Sequence, residues 1–202
     1  MQLFSYQPVA GGAYAQGYAN SALVPPELRL FYVDANDDCT NFISQCVWAG
    51  YGGWLPGFTS ETVSGNLARI AGRVRQSALW FGSHSYIGSN RWCRVEEFYH
   101  YCTDTTKSTG PRAAKIAEGP LGGLDASLIA PGDVIQLVVT SYTPDRYGHG
   151  LYVTQAGGTL DDTLICSHTL DRLDEPLSWF AQYPDVYSRA RVLRFEPASF
   201  EK

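Results

Sequence analysis

Two rhythms of apolar residues divide this chain. In the first half they recur every three to four positions, the period of an amphipathic helix. Tyr14 and Tyr18 do so in AYAQGYA (13–19), and Phe42, Ile43, Cys46 and Val47 in CTNFISQCVWA (39–49). Val63, Leu67, Ile70, Val74 and Ala78 extend the pattern over 62–80, where Gly65 and Gly72 weaken it. A further short helix is predicted from Arg94 to Tyr101. In the second half apolar residues run together or alternate, as in strands: DVIQLVVT (133–140), GHGLYVT (148–154), TLICSHT (163–169) and RARVLRF (189–195). Helices first and an antiparallel set of strands second predict an α+β fold, N-terminal helices packed on a small antiparallel sheet.

Polar and turn residues punctuate these elements. Pro25 and Pro26 stop any continuous helix after the first, and Asp37 or Asp38 can cap the helix that Gly50 ends. GYGGWLPGFTS (50–60) and WFGSHSYIGSNRWC (80–93) read as loops from which Trp54 and Trp92 can reach a cleft, while the aromatics of 50–60 can equally form a lid over the hydrophobic core. Pro, Gly, Ser and Thr dominate 103–125, and 103–130 reads as a loop-rich excursion within one domain spanning residues 1–202. No internal repeat is present.

Composition narrows the function classes. The chain has 202 residues, 45% hydrophobic, enough to fill a sizeable core, and its 17% charged residues fall below the roughly 25% of an average domain. The formal net charge is -5 and there is no Lys/Arg stripe, which argues against nucleic acid as a partner. No stretch approaches the roughly 18 apolar residues of a membrane span. The start, MQLFSYQPVAGG, lacks the basic flank and apolar core of a signal peptide. As written, the chain is expected inside the cell; a leader removed beforehand would place it at the cell wall or outside. Five cysteines without a C-x-x-C pair argue against a redox dithiol, and Cys93 and Cys102 are spaced to allow one disulfide.

The candidate chemistry centres on Cys39. A helix N-terminus lowers a thiol's pKa, and its first-turn N–H groups can hold an oxyanion. Asn36, Asp37 and Asp38 are candidates to help there, with Trp54 and Trp92 lining the site. A thiol nucleophile wants an imidazole as base and acid. His149, between two glycines at the head of a strand, is the candidate; His84 and His100 read as surface residues. If 148–154 and 163–169 are antiparallel neighbours, His168 comes back beside His149 as the group that orients it, on the side of Cys166, with Ser167 pointing to the opposite face. The three residues could alternatively bind zinc, although no acidic partner completes such a site; no metal and no cofactor is implied.

The run Asp38-Cys39-Thr40-Asn41-Phe42-Ile43-Ser44-Gln45-Cys46 resembles the signature of the bacterial putative amidase domain family, a branch of the papain-like cysteine hydrolases related to the CHAP amidases and other cell-wall endopeptidases. Tyr6, Ala10, Tyr14, Ala15, Tyr18 and Ala19 resemble the family's N-terminal helix, and Gly132 to Gln136 its first core strand. Gly148-His149-Gly150 stands where the family has its His, usually followed by Ser. Ser167-His168-Thr169 and the stretch from Arg172 to Leu177 resemble its closing segment. The resemblance implies a papain-like fold with Cys39 as nucleophile, His149 as base and His168 as third member. It implies hydrolysis of an amide in a short peptide, muropeptide or small amide through an acyl-enzyme. An acyltransferase using the same intermediate, or a non-catalytic peptide- or glycan-binding module, are the alternatives. The oligomeric state is not read from the sequence.

Overall fold

The computed structural model describes residues 2–34 and 37–202. Strand β1 (Leu3–Phe4) leads into helix α1 (Pro8–Tyr18), followed by α2 (Cys39–Gly50), α3 (Ser60–Ala71), α4 (Asn90–Cys93) and α5 (Val95–Thr103). Then come β2 (Arg112–Pro120), β3 (Val134–Val139), β4 (Tyr147–Gln155), β5 (Leu164–Ser167), β6 (Arg172–Pro176), α6 (Ser178–Ala181), β7 (Tyr187–Glu196) and β8 (Ala198–Ser199). The main sheet has six strands in the order β2-β7-β3-β4-β5-β6, each neighbouring pair antiparallel. β1 and β8 form a separate two-stranded ribbon. The protein is therefore α+β, with its strands in the second half. Among the described residues no helix is long and apolar enough to cross a membrane.

The sheet separates two apolar clusters. On one face α1 and α2 pack with Tyr14, Phe42, Cys46, Trp48, Tyr152 and Cys166; on the other Leu137, Leu151, Val153, Ile165 and Phe180 come together. All twelve residues of α2 are buried, so this helix is central and has no solvent face. Its close seat depends on two glycines without side chains. A Cβ on Gly150 of β4 would lie 2.3 Å from Ile43 Cδ1, and one on Gly11 of α1 would lie 2.0 Å from the Tyr152 hydroxyl.

Several elements differ from the sequence expectation. α1 begins at Pro8, whose fixed φ suits a first helical turn. The helix expected over 62–80 is capped by the Thr59 side chain and stops at Ala71, with Arg73 and Arg75 at positive φ just beyond. Part of the segment read as a loop through Trp92 is α4. Much of the excursion is β2, an edge strand paired to β7 with a bulge between Lys115 and Ala117. β6, at the other edge, was likewise not anticipated as a strand. All five cysteines are free thiols, including Cys93 and Cys102.

Candidate active site

Cys39 is the first residue of α2, with Asp38 as its N-cap. A helix start leaves its first N–H groups without intrahelical partners. The Asp38 side chain does not cap them. Its Oδ1 accepts from Asn41 Nδ2 at 2.7 Å, and its Oδ2 lies 2.6 Å from His168 Nδ1. The backbone N–H of Asp38 donates to Thr169 Oγ1 at 2.9 Å. The turn after β5 is thus tied to the start of α2, where the Thr40 N–H acts on the Cys39 sulfur.

The thiol is 2% exposed, and burial pushes its pKa up to about 11. The Thr40 hydroxyl, 3.7 Å from Sγ, favours the thiolate; the Asp37 carboxylate, 4.0 Å away, disfavours it. The backbone N–H groups of Gly150 and Thr40 also act on the sulfur in the thiolate's favour. The expectation of a lowered pKa at Cys39 is therefore corrected: desolvation outweighs the helix end, and the resting group is a thiol.

His149 lies on β4, the residue before Gly150. β5 pairs with β4 only from Tyr152 to Gln155, so the head of β4 has no β5 partner where Cys39 approaches it. The His149 side chain belongs to the face opposite α2. Its cross-strand partner Leu137 and its neighbour Leu151 both sit in the second apolar cluster, and its ring centroid is 6.3 Å from that of Phe180. Burial pushes the imidazole down to about 4, and the Arg172 charge adds to the effect. The ring is thus neutral and able to accept a proton. Among the described residues no hydrogen bond joins it to Cys39.

His168 is elsewhere. It projects from the α2 face, stacked on Phe42 at 4.1 Å between ring centroids. Nδ1 meets Asp38 Oδ2 at 2.6 Å and Nε2 meets the Tyr18 carbonyl at 2.8 Å. Both ring nitrogens are occupied, so His168 does not hold the His149 ring; that expectation is corrected. The reason is strand alternation. The register Tyr152↔Cys166 continues to Gly150 opposite 168, which puts His168 and His149 on different faces. The Tyr18 carbonyl can only accept, so Nε2 donates to it while Nδ1 meets the Asp38 carboxyl group.

The remaining candidates divide. Asp37 borders the site, its carboxyl held above the usual range by burial and by the neighbouring Asp34 and Asp38. Asn36 lies outside the described residues. Trp92 does not line a cleft: it is fully buried and donates Nε1–H to Asn41 Oδ1 at 2.7 Å. Trp54 is 9% exposed and packs edge-on against Tyr14 at 5.4 Å. Loop composition misled here, because loops that close over a core bury their aromatics. Cys39, His149 and His168 are not gathered as ligands, and among the described residues no group of His, Cys, Asp and Glu is arranged to hold a metal ion.

A cleft of about 460 Å³ is bordered by Asp37, whose carboxyl group lies 4.0 Å from the Cys39 sulfur, and by Arg94, Glu96, Glu97, Tyr142 and Arg146. Sequence reasoning missed these residues. Tyr142 stands in the β3–β4 turn, its hydroxyl 3.5 Å from the Gly148 carbonyl. Burial and the nearby Cys39 raise that phenol to about 12. No local motif marks Tyr142; only its place in the turn just before His149 could have drawn attention.

The model of the putative amidase domain matches residues 5–189. The chain belongs to the putative amidase domain family. No curated protein and no solved structure matches it significantly. Within this amidase domain the run from Asp38 to Cys46 acts largely as a set of buried ties. Asp38 binds His168, Asn41 binds Trp92 and the Tyr32 carbonyl, Ser44 donates to the Trp92 carbonyl, and Gln45 accepts from Tyr14. Cys39 is the exception, a thiol at the head of a helix that is otherwise all packing.

Proposed function

We propose that the protein is a cysteine amidase of papain-like design, a single domain in which Cys39 is the nucleophile and His149 the base. The observation that carries this reading is that the backbone N–H of Gly150, the residue next to His149, acts on the Cys39 sulfur in the thiolate's favour. The backbone next to His149 thus acts on the nucleophile at the part of β4 that β5 leaves unpaired. As Sγ attacks the amide carbonyl, the thiol proton passes to His149 and a carbon–sulfur bond forms. The first-turn N–H groups of α2 receive the oxyanion. His149 then gives its proton to the leaving nitrogen as the carbon–nitrogen bond breaks. Water, deprotonated by the same ring, releases the acyl group. A neutral resting imidazole beside a neutral thiol suits this order, in which the proton moves as the bond forms.

The substrate is a short peptide, muropeptide or small amide. The cleft by Asp37 is too small for a folded protein segment with its own structure. Its mixed charge, with Arg94 and Arg146 facing Glu96, Glu97 and Asp37, suits a polar chain over an apolar one. The test is incubation with a mixture of short peptides and muropeptides, read by mass spectrometry beside Cys39→Ala. A cleaved amide that is absent with Cys39→Ala supports the reading; cleavage that persists in the variant overturns it.

A further inference from the structure

We infer that Glu96, anchored by Arg191, is a positioning residue that sets the stretch of β4 carrying His149; the inference rests on the proposed role of His149 as base. Glu96 stands in the first turn of α5 and borders the cleft by Asp37. Its Oε1 accepts the backbone N–H of Tyr147 at 3.0 Å, and its Oε2 accepts from Arg191 Nη2 at 2.9 Å. One carboxylate therefore joins α5 to the start of β4 and to β7.

The strand needs this tie because its own ladder is interrupted there. β3 pairs Leu137 with His149 and then Val138 with Tyr147, which leaves Gly148 as the extra residue of a β-bulge. A bulge disrupts the ladder, bends its strand and re-aims the side chains beside it. The bend is tightly packed: a Cβ on Gly148 would lie 2.0 Å from Thr143 Oγ1. On the other edge, β5 pairs with β4 only from Tyr152 to Gln155. The run from Tyr147 to His149 thus has a bulged ladder on one side and no β5 partner on the other. Glu96 supplies the acceptor for the Tyr147 N–H from outside the sheet.

Arg191 gives Glu96 a fixed place. It is buried, its Nε donates to Gln136 Oε1 at 2.7 Å, and its guanidinium lies 3.6 Å from the Tyr99 ring centroid and 3.9 Å from that of Tyr147. Gln136 is fully buried and donates from Nε2 to the Val95 carbonyl at 3.1 Å. In the sheet it stands between Arg191 of β7 and Gly150 of β4. The network therefore brackets His149: Glu96 holds the residue two before it, and Gln136 is the cross-strand partner of the residue after it. A buried ion pair is weak evidence for stability, since well-packed apolar residues often replace it without loss. What this one supplies is position. A reacting group must sit within roughly 0.5 Å of its productive place, and neighbours that are themselves locked keep it there.

The decisive variant is Glu96→Asp. It keeps a negative charge for Arg191, so the fold is retained, but its reach is one methylene short of serving both Tyr147 and Arg191. ¹H–¹³C correlation spectra of the histidine rings, recorded on the full chain carrying Cys39→Ala, read the outcome directly. The His149 ring signals should shift or broaden with Glu96→Asp, while those of His168, tied to Asp38 and the Tyr18 carbonyl, stay in place. In the active protein Glu96→Asp should lower kcat about ten-fold with KM within two-fold, a fraction of the roughly 10²- to 10⁴-fold supplied by a positioned base. Glu96→Ala, which removes both contacts, should lower kcat further. His149 signals unmoved by Glu96→Asp would overturn the inference, because the carboxylate would then serve only to neutralise Arg191. A rise in KM at unchanged kcat would overturn it as well, by assigning Glu96 to substrate binding. Failure of the thiol reading shows separately, as turnover that survives Cys39→Ala, because the ring spectra do not depend on which group attacks.

Discussion

His149 and His168 are both buried, both sit on or beside β4 and β5, and both were candidates for the same site. Their surroundings make them different groups. His168 has a carboxylate on one nitrogen and a carbonyl on the other, a stacked Phe42 beneath it, and no freedom to exchange a proton with substrate. His149 has apolar neighbours, the distant charge of Arg172, and a pKa pushed down to about 4. One is a tie between α1, α2 and the turn after β5; the other is an imidazole without a hydrogen bond among the described residues. Burial alone does not distinguish a catalytic histidine from a structural one. The count of satisfied ring nitrogens does.

The sharpest way to break this comparison is to remove each ring in turn. His149→Ala should lower kcat/KM by roughly 10² to 10⁴, the range of a positioned general base, while the protein stays folded. Steady-state kinetics on whichever amide the muropeptide screen identifies would measure it. Activity within a factor of three of the parent would remove His149 from the mechanism.

His168→Ala should act on stability instead. It leaves the Asp38 carboxylate buried without its partner, and losing one member of a buried pair costs about 3–5 kcal/mol. Urea denaturation would read this. Asp38→Asn in the same background completes a double-mutant cycle, and the two changes together should cost well below their sum. Additive losses would mean that the pair is not coupled.

Acid titration separates the two rings again. His149 has a folded-state pKa below its unfolded value, so the unfolded chain binds the extra proton first. Stability should therefore fall as pH drops from about 6.5 to about 4. At roughly 1.4 kcal/mol per pH unit the loss reaches about 3 kcal/mol. His149→Gln should flatten this part of the curve. An unchanged acid limb in His149→Gln would show that other groups govern it.

These expectations also mark what the sequence could reveal. α2 and the central strands β3, β4 and β7 were legible because they are buried: Phe42, Ile43, Cys46 and Val47 carry the helical period, and Val134 to Val139 is buried throughout and apolar except for Gln136. The edge strands β2 and β6 were not, since RAAKIAEGP and RLDEP are half-exposed and carry Pro, Gly and charges, the composition of a loop. Within the proposed site, Cys39 and His149 are the residues named from their places at an element's start. The role of His168 could not. Faces along a strand follow from register, and a one-residue difference turns a side chain to the other side.

The smallest effect expected concerns the helix face, where Trp54 was thought to meet substrate. Its indole is 9% exposed, lies edge-on to Tyr14, and buries an Nε1–H without a partner among the described residues. Trp54→Phe removes the orphan donor along with part of the packed ring. Removing an unsatisfied donor gains about 1–3 kcal/mol, and losing ring contacts costs a similar amount, so the net change should stay within about 1 kcal/mol. kcat/KM should remain within two-fold of the parent, because the ring packs against α1 and not the cleft by Asp37. Thermal melts and kinetics on the same preparation would check both. A large rise in KM with unchanged stability would return Trp54 to the substrate site and make the helix face part of the chemistry, which is the opposite of the division drawn from the two histidines.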